Sequence, residues 1–169
     1  EIQAPAESDA SAAVAAPPAA PAPAQAEKPK DLTTLKIEKS CSRGFGPWLA
    51  KQNLSVAVTS YQSGRLYLVG SDAAGRVSFY ERIFERAMGV VGNNQRIFLG
   101  GLFQLWRFEN VLRKGQLANK LHDRCYVPRN AQTIGDLDIH ELGIRYDGRV
   151  VFVNTKYSCL AELDPVHSF

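Results

Sequence analysis

The stretch QSGRLYLVGSDAAGRVSFYERIF, residues 62–84, decides the fold. Two runs rich in β-branched and aromatic residues flank DAAG, whose Asp and Gly are turn formers. Side chains alternate faces along a strand, so the pair reads as a hairpin. LSVAVTSY (54–61) reads as the strand before it. Outward from here the same design recurs. AMGVVGNNQRIFLGG (87–101) leads into LFQLWRFENV (102–111), and HELGIRYDGRVVFVNT (140–155) leads into KYSCLAELD (156–164).

GRLYLVG, QRIFLGG and GRVVFVN hold the same place in each unit, opened by Arg65, Arg96 and Arg149. The spacings are 31 and 53 positions, and the longer one holds an insertion over 110–137. Its polar, mixed character predicts a loop on one face of the stack, where repeat proteins carry binding residues. Irregular units of short antiparallel strands predict an all-β fold, a partial β-propeller of about three blade-like units. A β-sandwich is the alternative. A blade takes about 40–50 residues and a closed ring about four to eight blades. The chain is therefore expected to be completed by copies or by further sequence. Trp106 is expected to pack between blades, with Phe103 on the opposite face.

Residues 1–30 are mostly Ala and Pro, with six of the nine prolines and no aromatic residue. Such composition cannot offset its own ordering entropy, so 1–35 is read as a disordered Ala/Pro-rich linker. The block FGPWLAKQ predicts a short helix with Trp48 and Leu49 facing the core, Pro being tolerated in a first turn. The domain is expected over 45–169. The chain opens with Glu1, which is expected of a processed or excised piece.

The formal charge of +3 is spread among acids without a basic block, so no nucleic-acid partner is expected. No apolar run approaches the roughly 18 residues of a membrane span, so none is expected. Cys41, Cys125 and Cys159 are widely spaced, which is neither a disulfide framework nor a zinc motif. They do not fix a compartment, and a cytoplasmic one is favoured.

Candidate chemistry concentrates in GDLDIHELG, 135–143. On a strand Asp136, Asp138 and His140 would share a face, with Asn154 and Thr155 one hairpin away and Arg129 close enough to neutralise a carboxylate. This set could bind a protein or carbohydrate through charged hydrogen bonds. Two carboxylates and an imidazole also suit a divalent metal, and Asp136, Asp138 and His140 are the residues that would hold one. Architectural hydrogen bonding is the simplest reading of all. His140 does not open an H-E-x-x-H motif, since Ile144 follows at the fourth position. No G-x-S-x-G elbow and no phosphate-cradling loop is present. The function expected is a binding or scaffold module contacting a partner through its rim and the insertion. The alternative is a metal-dependent or acid/base enzyme at Asp136, Asp138 and His140.

The wording FGPWLAKQNLSVAVTSYQSGRLYLVG, FERAMGVV, LFQLWRFENVL, YVPRNAQTIGDLDIHELGI and GRVVFVNTKYSCLAELD resembles the N-terminal part of a conserved bacterial family of unknown function with propeller-like β repeats. The similarity covers about residues 45–169. It implies a domain truncated at its C-terminus, and it brings no activity, ligand or cofactor.

Overall fold

In the computed structural model, residues 31–34 and 36–169 are described. The expected linker lies outside the described residues except at 31–34. There Asp31 Oδ1 accepts from Thr33 N at 2.9 Å, and the Leu32 carbonyl accepts from Arg65 Nη2 at 2.9 Å.

The described residues are all-β apart from one short helix, and their strands form three antiparallel sheets in sequence order. Helix α1 (Phe45–Gln52) precedes them. Sheet 1 is β1 (Val56–Ser60), β2 (Arg65–Ser71) and β3 (Val77–Ile83). Sheet 2 is β4 (Val90–Gly92), β5 (Arg96–Gly100), β6 (Gln104–Asn110) and β7 (Tyr126–Thr133). Sheet 3 is β8 (Leu142–Ile144), β9 (Val150–Asn154) and β10 (Cys159–Glu162).

Each repeated Arg marks the opening of a second strand, and each reaches a Glu on the third. Arg65 Nε lies 3.9 Å from Glu81, Arg96 Nε 2.6 Å from Glu109, and Arg149 Nη1 3.4 Å from Glu162. The units are equivalent in strand but not in facing. Leu66 joins Ile97 and Leu99 in the core between sheets 1 and 2, so Arg65 lies on the face turned away from sheet 2. Arg96 instead shares the face of Phe98, which packs towards sheet 3. Side chains alternate every residue, so a one-residue slip in the repeat reverses the face.

The insertion is not wholly a loop. Its second half is β7, which pairs with β6 and carries a register shift between Arg107 and Phe108. As an edge strand it holds Pro128 and exposed Arg129 and Asn130, features that discourage further pairing.

Two cores follow from the stacking. Phe98 and Leu105 of sheet 2 meet Ile134, Leu137, Ile139, Leu142, Val150 and Phe152. On the other side of sheet 2, Ile97, Leu99 and Phe108 meet Leu66 and Ala87, with Trp106 packed against them. Phe103, just before β6, is exposed. Sheet 1 turns its far face to α1 through Tyr67, Val69 and Leu49. Leu49 is buried as expected, but Trp48 is half-exposed and stacks on Phe45, because the next position of a helix lies about 100° round from a buried one.

Leu99 is wholly buried between two sheets. Leu99→Ala should cost about 2–5 kcal/mol through lost transfer energy and a cavity. Val58→Ala, at a half-exposed site, should stay within about 0.5 kcal/mol. Urea unfolding of the two variants measures both.

Candidate functional site

Residues 134–141 bridge sheet 2 to sheet 3 without forming a ladder, turning at Gly135 and Asp138, both of positive φ. Their backbone is held by isolated bonds. Ile134 N donates to Phe103 O at 3.0 Å, Gly89 N to Ile139 O at 3.1 Å, and Val153 N to Glu141 O at 3.1 Å. Gly89 is needed at this crossing, because a Cβ there would meet the Glu141 backbone at 3.1 Å. Sidedness survives without a strand. Ile134, Leu137 and Ile139 are buried, while Asp136 and Asp138 are half-buried and His140 is exposed.

Both carboxylates turn to Arg86, in the link between sheets 1 and 2. Arg86 Nη1 donates to Asp136 at 3.1 and 3.2 Å, and Nη2 donates to Asp138. Lys156, just past β9, donates to Asp136 as well. Arg86 also lies over the Tyr61 ring, 5.6 Å from its centroid, a cation–π distance. The pair is held in a backbone conformation that few side chains adopt, with φ of 51° at Arg86 and 53° at Asp138. One guanidinium thus clasps the two inter-sheet links to each other.

Beside the clasp opens a pocket of about 530 Å³ lined by Thr59, Tyr61, Ala87, Met88, Asp138 and His140. Three elements meet there: the end of β1, the approach to β4 and the approach to β8. Thr59 Oγ1 donates to Met88 O and ties the first two together. His140 Nε2 lies 3.4 Å from Asp138 Oδ2.

Charge follows the geometry. The Lys156 ammonium is the largest influence on Asp136, and with Arg86 it holds that carboxyl below its ordinary range despite partial desolvation. Desolvation works against the charge on Arg86, but Asp136, Tyr61 and Asp138 together outweigh it and raise its pKa.

Of the residues expected from sequence, Asp136, Asp138 and His140 are together and the others are apart. Asn154 is buried under the β9–β10 turn, where its Oδ1 accepts from Tyr157 N at 3.2 Å. Thr155 is exposed in that turn, its carbonyl accepting from Ser158 N at 3.3 Å. Neither lines the pocket. Arg129 is exposed on β7, and the cations on Asp136 are Arg86 and Lys156 instead. Residues 110–137 contribute nothing to the pocket wall. Among the described residues no three His, Cys, Asp or Glu side chains are grouped to hold a metal ion. The Arg86 guanidinium already stands between the two carboxylates as their cation, so this donor set does not fit a metal as it stands.

Sequence reasoning missed Arg86 and Tyr61. Arg86 stands 50 positions from Asp136, in a segment with no motif. Lys156 had a nearer signal, one residue beyond Thr155 on the hairpin already singled out.

The model of the family described as "Domain of unknown function (DUF4915)" matches residues 43–169. The chain belongs to that family. No curated protein and no solved structure matches it.

Removing Arg86 strands two carboxylates, so Arg86→Ala should destabilise by about 1–2 kcal/mol for these partly exposed groups. Arg86→Gly should lose about 1 kcal/mol less, because glycine accepts the left-handed backbone freely. Chemical unfolding of both variants tests the pair.

The folded-state pKa of Asp136 lies below its unfolded value of about 3.9. Its charge therefore contributes stability above that pH and loses it as pH falls towards the folded pKa. Asp136→Asn should flatten the acid limb of the stability–pH curve below about pH 4, read by thermal melts from pH 2 to 7.

Proposed function

We propose that this domain is a propeller-type binding module whose pocket takes a neutral, hydroxyl-rich ligand such as a sugar ring. Sheets 2 and 3 support the propeller reading, with matching strand order and β4 beside β8. Sheet 1 joins them in the same way, with β1 beside β4.

The observation that carries the ligand reading is the make-up of the pocket wall. Tyr61 presents a half-exposed ring, and such a face suits the C–H side of a sugar. Asp138 is an acceptor whose charge is already compensated by Arg86. Beside it His140, 59% exposed in its side chain, adds a ring nitrogen. The volume falls in the range of small-ligand sites. Nothing in this wall supplies a net charge for an ionic ligand, since the acid is paired with a base.

Isothermal titration with a panel of neutral, acidic and amino monosaccharides tests this. A hexose of about twelve heavy atoms at roughly −0.3 kcal/mol per atom gives a Kd in the millimolar range. Binding of a neutral sugar, lost in Tyr61→Ala and weakened in Asp138→Asn with circular dichroism unchanged, is the expected result. No heat from any sugar, or binding indifferent to both substitutions, would sink the proposal.

A further inference from the structure

The chain between β6 and β7, residues 111–125, leaves sheet 2 at the end away from the pocket. The pocket lies where the chain enters β4, and the start of β4 stands beside the end of β5 and the start of β6 (Val90 with Leu99, Gly100 with Leu105). The loop hangs from the other end of β6, and local bonds give it a definite form. Val111 N donates to Cys125 O at 2.9 Å and Cys125 N to Asn110 Oδ1 at 3.0 Å, which closes its base. Arg113 N donates to Gln116 Oε1 at 2.8 Å. Ala118 pairs with His122 across a tight turn at Asn119 and Lys120, with φ of 49° and 59°, the left-handed pair used by two-residue hairpin turns. Yet this ordered loop keeps its leucines in solvent, Leu117 54% and Leu121 58% exposed. Its charge is one-sided as well. Arg113, Lys114, Lys120 and Arg124 stand against a single acid, Asp123, so the loop carries the whole formal +3 of the sequence. Asp123 is taken by Arg124 at 3.0 Å. Arg113, Lys114 and Lys120 have no acidic partner among the described residues. Neutral and apolar residues are interleaved with these cations, so no basic block stands out in the sequence.

We propose that the 111–125 loop docks on an anionic bilayer surface, with Leu117 and Leu121 entering the interface while Arg113, Lys114 and Lys120 meet the lipid headgroups. Exposed apolar side chains set among unpaired cations are the composition that such a surface binds, through shallow apolar burial and attraction to anionic lipid. Other occupants fit the loop less well. A nucleic-acid backbone would use the cations and leave the leucines wet. A stable protein interface takes about 20–30 residues a side, more than the 15 residues of this loop. A bilayer asks for no matching groove. The rest of the sequence is neutral in sum, so the loop is the end that a negative surface draws towards itself. Docked in this way, the pocket end of sheet 2 faces away from the lipid.

Flotation of the full chain with lipid vesicles tests this. Vesicles of phosphatidylcholine alone are compared with vesicles carrying about one-third phosphatidylserine. Lipid is taken to about 5 mM, because two leucines should bind more weakly than the roughly 10⁴ M⁻¹ of a single acyl chain. The expected result is flotation with the anionic vesicles only, reversed by about 0.5 M salt. Lys114→Gln with Lys120→Gln should weaken binding about 25-fold, fivefold for each cation. Leu117→Gln with Leu121→Gln should weaken it about tenfold or more. Lys51→Gln, at an exposed cation of α1, should change it less than about twofold. Circular dichroism confirms that each variant folds. No flotation with either vesicle, which is what a loop built for an acidic protein would give, overturns the proposal. So does equal flotation with both vesicles, or binding that survives either double substitution.

Discussion

A strand covered on both faces has no solvent side to which polar residues can be assigned, and β5 is such a strand. Ile97, Phe98, Leu99 and Gly100 are all buried, because sheet 1 lies on one face and sheet 3 on the other. Everything else in the molecule arranges itself around that double burial. The links between sheets must carry the chain from one layer to the next, so they run close together at one end of the stack. Gly100 has room only for a hydrogen where Ile139 crosses it, a Cβ there meeting Ile139 at 3.0 Å. The link that carries the candidate site is therefore pressed against the central strand by the same packing that builds the core.

The repeated Arg–Glu pairs do a different job. They join the second strand of each sheet to the third, Arg96 directly across from Glu109, Arg65 and Arg149 reaching Glu81 and Glu162 diagonally. Side chains such as Arg149, 70% exposed, gain little from a surface ion pair. Their use is to disfavour slipped registers, in which like charges or an apolar residue would stand in the partner's place. The clasp at Arg86 is costlier. Two non-glycine residues in the left-handed region cost roughly 1–2 kcal/mol each. They persist because Arg86 must present two nitrogens to two carboxylates on a separate link.

Strands and turns were legible from sequence because their signals are local: alternation in RLYLVGS, Asp and Gly in DAAG. The polar and apolar sides of 135–141 were legible for the same reason, even though the segment is no strand. Facing was not legible. The Arg repeat aligns Arg65 with Arg96, yet the two point to opposite neighbours, a distinction visible only once the sheets are stacked. Arg86 was hidden for a stronger reason. Its partners lie 50 and 52 positions away, and nothing in FERAMG marks a left-handed Arg. The metal reading of Asp136 and Asp138 fails to fit for the same cause: the pattern shows two acids but not the base between them.

That base also bears on what the pocket can hold. An acid at a pocket wall ordinarily draws cations, because its field is felt through the poorly screened interior. Here Asp138 gives one oxygen to Arg86 and turns the other towards His140, so its field is largely cancelled while its lone pairs remain as acceptors. A cationic ligand would have to compete with a guanidinium already in place. An anionic one would have to approach two carboxylates in order to reach Arg86. A neutral ligand meets neither penalty, since it can donate a hydroxyl hydrogen to Asp138 while its apolar face covers Tyr61. On the proposed reading, the clasp that holds the inter-sheet links together would thus also select against charge in the pocket beside it.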